Sequence, residues 1–237
     1  MQFGDFVRSA ATRQRYWARS TVGWRRMHRA EPNPAHHALA DLERAGHVSG
    51  LITQNVDGLH HRAGSREVVE LHGSLAAVVC LDCGETLSRA RMQQRLEDEN
   101  PGWLERVGSA ESAPDGDAEL GDDRYADFVV PACEGCTGTL KPDVVFFGEN
   151  VPKARVEECW HMVDRADLLL VVGSSLTVYS GRRFVYGALE RDLPVAVLNL
   201  GPTRADDVAT TKVEARLGEA MPQLVSALGS GGGPLSR

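Results

Sequence analysis

The apolar residues of this chain fall into two patterns, one of helical spacing and one of short unbroken runs. Between residues 5 and 29, Phe6, Tyr16, Trp17, Val22 and Trp24 stand among arginines, a spacing that predicts helix. Pro32-Asn33-Pro34 then predicts a helix start, with Asn33 as N-cap and Pro34 in the first turn. The predicted helix 35–45 carries Leu39 and Leu42 and stops at Gly46. A strand is predicted at once over 48–53, and its apolar run halts at Gln54, Asn55 and Asp57. A second run, Val68-Val69-Glu70-Leu71, halts in the same manner at His72-Gly73. Leu140–Glu149 reads as an apolar strand bounded by Pro142 and Gly148, and residues 151–166 as a helix.

The clearest unit follows. A strand opening at Asp167, a helix over 181–191 and a strand over 193–201 lie within about 35 residues, which implies a right-handed parallel crossover. An amphipathic helix is expected near 219–228, followed by a disordered tail from Gly229. These units predict an α/β chain with a parallel sheet. They also leave an oddity, because such sheets ordinarily open with a strand and the first residues here hold none.

Composition narrows the classes. At 237 residues, 42% hydrophobic and 25% charged, the chain is ordinary for a globular enzyme. No apolar run approaches the roughly 18 residues of a membrane span, and no signal segment is visible, so a cytosolic protein without membrane contact is expected. The net charge of −7 argues against general affinity for nucleic acid. Residues 84–132 account for all of it, with twelve acidic residues against five arginines. Residues 1–30 carry seven arginines against Asp5, read as a solvated helix face. Of the 26 basic residues only Lys141, Lys153 and Lys212 are lysines, which reads as a bias of base composition.

Three groups of residues carry candidate chemistry. Amides, a carboxylate and an imidazole at two strand ends (Gln54, Asn55, Asp57, His72) stand where open α/β sheets bind ligands, with acid/base capacity. Each stretch alone also reads as a turn with a structural histidine. Cys80-Leu-Asp-Cys83 and Cys133-Glu-Gly-Cys136 are two Cys-x-x-Cys knuckles, a strong signal for one structural zinc ion with no open coordination position. The 49 residues between them are longer than a simple zinc ribbon uses, so an inserted loop is expected, with 108–123 as its exposed part. Redox cysteines and unrelated buried thiols are the competing readings, and Cys159 reads as a small apolar residue. Gly173-Ser174-Ser175 and Asn199 end two strands and could meet phosphate or ribose, or be plain turns.

Taken together these residues resemble the sirtuins, the NAD-dependent protein deacylases. The matching motifs are Thr-Gln-Asn-Val-Asp-Gly-Leu-His (53–60), Glu-Leu-His-Gly (70–73), the paired knuckles, Lys-Pro-Asp-Val-Val-Phe-Phe-Gly-Glu (141–149), Gly-Ser-Ser-Leu (173–176) and Asn-Leu-Gly-Pro-Thr (199–203). Tyr-Trp-Ala-Arg (16–19), Val-Tyr-Ser-Gly (178–181) and the long insertion resemble the class II branch, which includes mitochondrial sirtuin four and bacterial relatives. The resemblance implies a Rossmann-like domain over 1–75 and 137–228 and a zinc module over 76–136, with NAD and an acyl-lysine peptide meeting in the cleft between. It implies His72 as general base, Asn55 on water and ribose, Asp57 on the carboxamide and Gln54 on the nicotinamide ribose. Gly173, Ser174, Ser175, Asn199, Leu200, Gly201 and Leu217 would hold the rest of NAD. Val145, Phe147 and Gly148 would pair with the substrate backbone. Tyr16 and Arg19 form a Tyr-x-x-Arg pair that could grip an acidic acyl group, against the plainer reading of a core Tyr and a surface Arg.

The family's opening strand, its Gly-Ala-Gly-Ile-Ser loop and its Pro-Asp-Tyr/Phe-Arg segment find no match in the sequence. The expectation is a sheet lacking its first strand and glycine-rich loop, by truncation or a mis-set start at Met1, with weak NAD binding and little turnover. The products would be nicotinamide and O-acyl-ADP-ribose. Protein ADP-ribosyl transfer and a non-catalytic zinc-stabilised binding module are the alternatives. A nicotinamide dehydrogenase fits poorly, since no Gly-x-Gly-x-x-Gly is present.

Overall fold

The computed structural model describes residues 1–107 and 124–230, so the loop expected at 108–123 and residues 231–237 lie outside the described residues. The long N-terminal helix is two helices, α1 (Phe3–Arg8) and α2 (Ala10–Met27). Ser9 breaks it: its backbone is extended, and its hydroxyl accepts the Thr12 N–H as the N-cap of α2. α3 (Pro34–Arg44) starts as expected, with the Asn33 side chain capping Ala35 and His36 and His36 returning a bond to the Asn33 N–H.

Strand β1 spans Leu51–Thr53, three residues shorter than expected at its start. The reason is local, because the N–H groups of His47 and Val48 are held by the Leu42 carbonyl in the closure of α3. A short helix α4 (Leu59–Ala63) leads to β2 (Val68–Glu70), which pairs with β1 in parallel register, Ile52 opposite Val69. Then come β3 (Gly73–Cys80), β4 (Thr86–Ser88), α5 (Arg89–Glu99), α6 (Trp103–Val107) and β5 (Leu140–Val144). β5 is half the expected length, because Phe146–Glu149 closes a turn with Gly148 at φ +78. The second half of the chain forms α7 (Lys153–Asp164), β6 (Leu169–Val172), α8 (Tyr179–Leu189), β7 (Val195–Leu198), β8 (Thr211–Val213) and α9 (Leu217–Ser230). The expected crossover is present, with β6, β7 and β8 all parallel. α8 begins two residues early, and α9 runs through Gly229, so the tail is helical at least to Ser230.

Contacts gather these elements into two compact units. The first holds Met1–Ala30, Asn55–Gly58 and His72–Asn150, with the antiparallel order β4-β3-β5. Its core contains Trp17, Val78, Met92, Leu96, Trp103, Phe128 and Leu140. Arg89, 1% exposed, lies within it between the rings of Trp17 and Trp24, bonded to Gln93 and Ser20. Burial lowers its pKa to about 10, which leaves the guanidinium charged at neutral pH.

The second unit holds Glu31–Gln54, Leu59–Leu71 and Val151–Arg237. It contains two parallel ladders, β1-β2 and β6-β7-β8. Alternate side chains of both ladders feed the same two cores. Leu51 and Val172 pack with Leu39, Leu42 and Met221, whereas Ile52 and Val171 pack with Cys159, Val163 and Phe184. In a doubly wound sheet of order 3-2-1-4-5-6, β2 and β1 match strands three and two, and β6, β7 and β8 match four to six. Among the described residues no strand stands in the first, central place.

Candidate functional site

The thiolate cluster is built by backbone. At the end of β3, Gly84 N–H bonds the Cys80 carbonyl, and Cys80 N–H bonds Glu85. The second knuckle repeats the pattern, Thr137 N–H on Cys133 and Cys133 N–H on Gly138. Asp82 joins the two by accepting the Thr139 N–H at 2.7 Å. A Cβ at Gly138 would stand 2.4 Å from that carboxylate and 2.8 Å from the Cys80 sulfur, so only glycine fits. The four Sγ atoms of Cys80, Cys83, Cys133 and Cys136 lie within 4.8 Å of one another, with closest pairs of 3.5 and 3.8 Å. A tetrahedron of Zn–S bonds of about 2.3 Å has S–S edges of about 3.8 Å. The set therefore fits one structural zinc ion. The free thiols are mismatched: backbone N–H from Cys83 draws Cys80 down to about 7, whereas the Cys83 side chain pushes Cys136 up to about 12. A divalent cation removes that conflict by favouring all four thiolates. Buried Cys159 is remote in kind, a thiol raised to about 12 by desolvation.

In the same unit the loop Asn55–Gly58 and the segment opening at His72 are tied together. Leu75 N–H bonds the Val56 carbonyl at 2.8 Å, and Val145 N–H bonds the His72 carbonyl at 2.8 Å. Asn55 is exposed, while Asp57 and His72 are half-buried. Gly73 has φ +82, and a Cβ there would lie 1.9 Å from the Asp143 carbonyl oxygen, so the residue after His72 must be glycine. The structure thus brings Asn55, Asp57 and His72 onto loops braced by one another's backbone.

Beside them lies the segment expected to receive substrate. Phe147, 64% exposed, sits at the tip of the Phe146–Glu149 turn. Its N–H is held by Met1 and its carbonyl by Phe3, so this side of the strand already carries a partner, Gln2. Both main-chain groups of Phe147 are thus taken within this chain, so the expected pairing of Phe147 with a substrate backbone finds no open group there. Tyr16 packs edge-on against Phe6, Trp17 and Phe146, with centroids 5.4–5.6 Å apart. Arg19, one turn on, is half-buried.

In the second unit Gly173-Ser174-Ser175 follows β6 and Asn199-Leu200-Gly201 follows β7, both at the carboxyl ends of adjacent parallel strands. A Cβ at Gly173 would meet the Leu217 side chain at 2.5 Å, which places Leu217 against this loop. Ser174 accepts the Leu176 N–H, and Ser175 shares a hydrogen bond with Thr177. Leu176 takes φ +56, a strained value for a side chain of that size. Asn199 donates to the Leu200 and Gly201 carbonyls, and Glu214 accepts the Gly201 N–H at 2.8 Å. Gln54 packs on the first turn of α8, where a Cβ at Gly181 would overlap its amide.

The model of the Sir2 family matches residues 2–180. The chain belongs to the Sir2 family. It is 52% identical over 225 residues to the mitochondrial NAD-dependent protein lipoamidase sirtuin-4 of Homo sapiens, covering 94% of this chain and 70% of that one. It is 53% identical over 219 residues to an NAD-dependent protein deacetylase of Xanthomonas campestris, covering 92% and 74%. Among solved structures, Sir2 with a p53 peptide and NAD⁺ superposes with a TM-score of 0.70 at 32% identity, covering 86% of this chain and 73% of that one. The fold is thus the Rossmann-like α/β fold of sirtuins with a cysteine tetrad able to hold zinc. Sequence reasoning quoted Lys141 and Glu149 only as the ends of a motif and missed their pairing, a buried lysine on a half-buried glutamate beneath the Phe146–Glu149 turn, and it missed Glu214. A lysine inside an apolar run of an arginine-rich chain was the available signal for the first. Among the described residues no helix is long and apolar enough to cross a membrane.

Proposed function

We propose that the chain is an NAD-dependent protein-lysine deacylase that yields nicotinamide and O-acyl-ADP-ribose. The observation that carries this reading is the identity of half of all residues, over nine-tenths of the chain, with relatives named as deacetylase and lipoamidase. Bound NAD supplies an electrophilic sugar carbon to the acyl oxygen. In this reading His72 takes the proton of a ribose hydroxyl, Asn55 holds water and ribose, and Asp57 accepts from the nicotinamide amide. Gly173, Ser174, Ser175, Asn199, Leu200, Gly201 and Leu217 carry the adenosine diphosphate portion, where N–H groups at strand ends favour anions, and Gln54 the nearer ribose. Val145 and Gly148 offer main-chain groups to an extended acyl-lysine peptide, bonds that read little sequence, and Phe147 offers its exposed ring. Tyr16 and Arg19 are candidates for the acyl contact. Cys80, Cys83, Cys133 and Cys136 hold one zinc ion in a structural role, and the working compartment is the cytoplasm.

The test is nicotinamide release from acetyl-, glutaryl- and lipoyl-lysine peptides, each with NAD, by the chain and by His72→Ala. Release that requires both peptide and NAD, and falls by roughly 10²–10⁴ in the variant, supports the proposal. Release that needs no peptide, or survives the substitution, overturns it.

A further inference from the structure

We infer that Lys141 and Glu149 are a positioning pair that sets the shape of the substrate edge, an inference that rests on the deacylase reading. The pair spans the whole of the Phe146–Glu149 turn. Lys141 is 3% exposed, and its ammonium reaches the Val144 carbonyl, the Pro142 carbonyl at 3.3 Å and Glu149 Oε2 at 3.0 Å. The same Glu149 oxygen accepts the Phe146 N–H at 2.9 Å, while Glu149 N–H closes the turn on the Phe146 carbonyl at 3.0 Å. Between those anchored residues stand Val145, whose N–H holds the His72 carbonyl, and Phe147, whose ring is exposed at the tip. The ammonium also lies 4.7 Å from the centre of the Phe146 ring, which packs on Phe6 and Tyr16.

Stability alone does not account for this arrangement. The surroundings are the apolar cluster of Phe3, Phe6, Leu75, Val144 and Phe146, and an apolar side chain of lysine's length would pack there without desolvating a charge. Buried ion pairs often give no more stability than such a replacement, and their best-attested use is to select one geometry. The choice of residue points the same way. Twenty-three of the 26 basic residues are arginines, yet this position holds a lysine. A compact ammonium can direct three donors into three oxygens on separate sides, which a planar guanidinium cannot. Without the ammonium the Val144 carbonyl loses its donor and Glu149 its counter-charge. The carboxylate then turns to water and releases the Phe146 N–H, and the turn carrying Phe147 loosens.

The experiment compares the wild-type chain with Lys141→Met and Glu149→Gln, using a fluorescein-labelled acetyl-lysine peptide for binding and NAD-dependent deacylation for kinetics. Zinc content and far-ultraviolet circular dichroism establish that each variant is folded. Glu149→Gln keeps the ammonium-to-carbonyl bonds, so it reports on the turn even where Lys141→Met fails to fold. The expected result is peptide binding weaker by about tenfold, a matching rise in peptide KM, and kcat and the KM for NAD near wild type. Binding and peptide KM within twofold of wild type in the folded variants overturn the inference, as do equal losses in the peptide and NAD parameters. A wild-type chain that binds peptide without turning it over rejects the deacylase reading, and the binding arm then still decides the positioning role. A wild-type chain that binds no peptide overturns both.

Discussion

Single residues in this chain are held to their places by contacts of two kinds, steric and charged. Gly73 is the steric case. With φ +82 and a carbonyl oxygen 1.9 Å from where a Cβ would stand, Gly73→Ala must displace the Asp143 backbone and with it the segment bonded to His72. The expected cost is about 2–4 kcal/mol, since both strain and a clash with backbone are imposed, read as a fall in the midpoint of urea unfolding. Asp206 is the charged case. Bonds from Lys212 and Thr203 hold its pKa down from 3.8 to about 2. A carboxylate whose folded pKa is depressed contributes stability above its unfolded value and loses it as pH falls through the folded one. Wild type and Asp206→Asn should therefore differ most above pH 4 and converge between 3.8 and about 2, as followed by urea denaturation at each pH. Other acid-sensitive groups, the thiolates included, are common to both proteins and cancel in the difference. A gap that stays constant across that window contradicts the assignment.

At the scale of elements, what could be read from sequence was whatever local chemistry decides. Asn33 and Pro34 start α3 because capping needs only neighbours, and the crossover through β6, α8 and β7 follows from uninterrupted apolar runs. β3 was not legible, since Ala76 and Ala77 blur its alternation and its pairing comes from β4 and β5, the latter some sixty residues on. Ser9 was a readable cap inside a pattern that looked continuous, and the early end of β1 is imposed by α3. The thiol cluster able to hold a metal was fully legible, because Cys-x-x-Cys spacing encodes its own geometry. His72, Asn55 and Asp57 stand out as candidates only together with distant motifs. The pairing of Lys141 with Glu149 was not legible, because the burial of a lysine beneath a turn is a tertiary fact. The knuckles bind β3 and β5 at their shared end, where Cys80 pairs with Leu140. Removing zinc with a chelator under reducing conditions, or Cys133→Ser, should lower Tm by roughly 10 °C, given about 2–4 °C per kcal/mol in a chain of this size and a structural ion that contributes several kcal/mol. An unchanged Tm after metal loss, confirmed by elemental analysis, would show that hydrogen bonds alone hold the knuckles.

For the molecule as a whole the decisive feature is the division of the parallel sheet into β2-β1 and β6-β7-β8. Both ladders pack on the same helical layers, although most side chains of β1, β2 and β6 are only half-buried and the two ladders stand as separate sheets. Two consequences follow for the 237-residue chain. The edges of β1 and β6 leave N–H and C=O groups outside any ladder, and such edges open at lower free energy than a paired central strand. The turn that would follow a central strand is also where a doubly wound fold presents its glycine-rich N–H groups to a pyrophosphate. In the proposed reading Gly173–Ser175 and Asn199–Gly201, which follow β6 and β7, meet the adenosine diphosphate portion without help from such a turn. Contacts from a glycine-rich turn to a pyrophosphate are charge-assisted and worth about 1.5–3 kcal/mol each, so binding without two of them should be weaker by a factor of at least about a hundred. Isothermal titration of NAD into this chain should therefore give a dissociation constant in the millimolar range, with slow turnover. Amide hydrogen exchange should show β1 and β6 protected less than β7, which is paired on both sides. Micromolar NAD affinity with β1 and β6 as protected as β7 would mean that the two ladders already act as one sheet, and that the phosphates are held by groups other than a central glycine-rich turn.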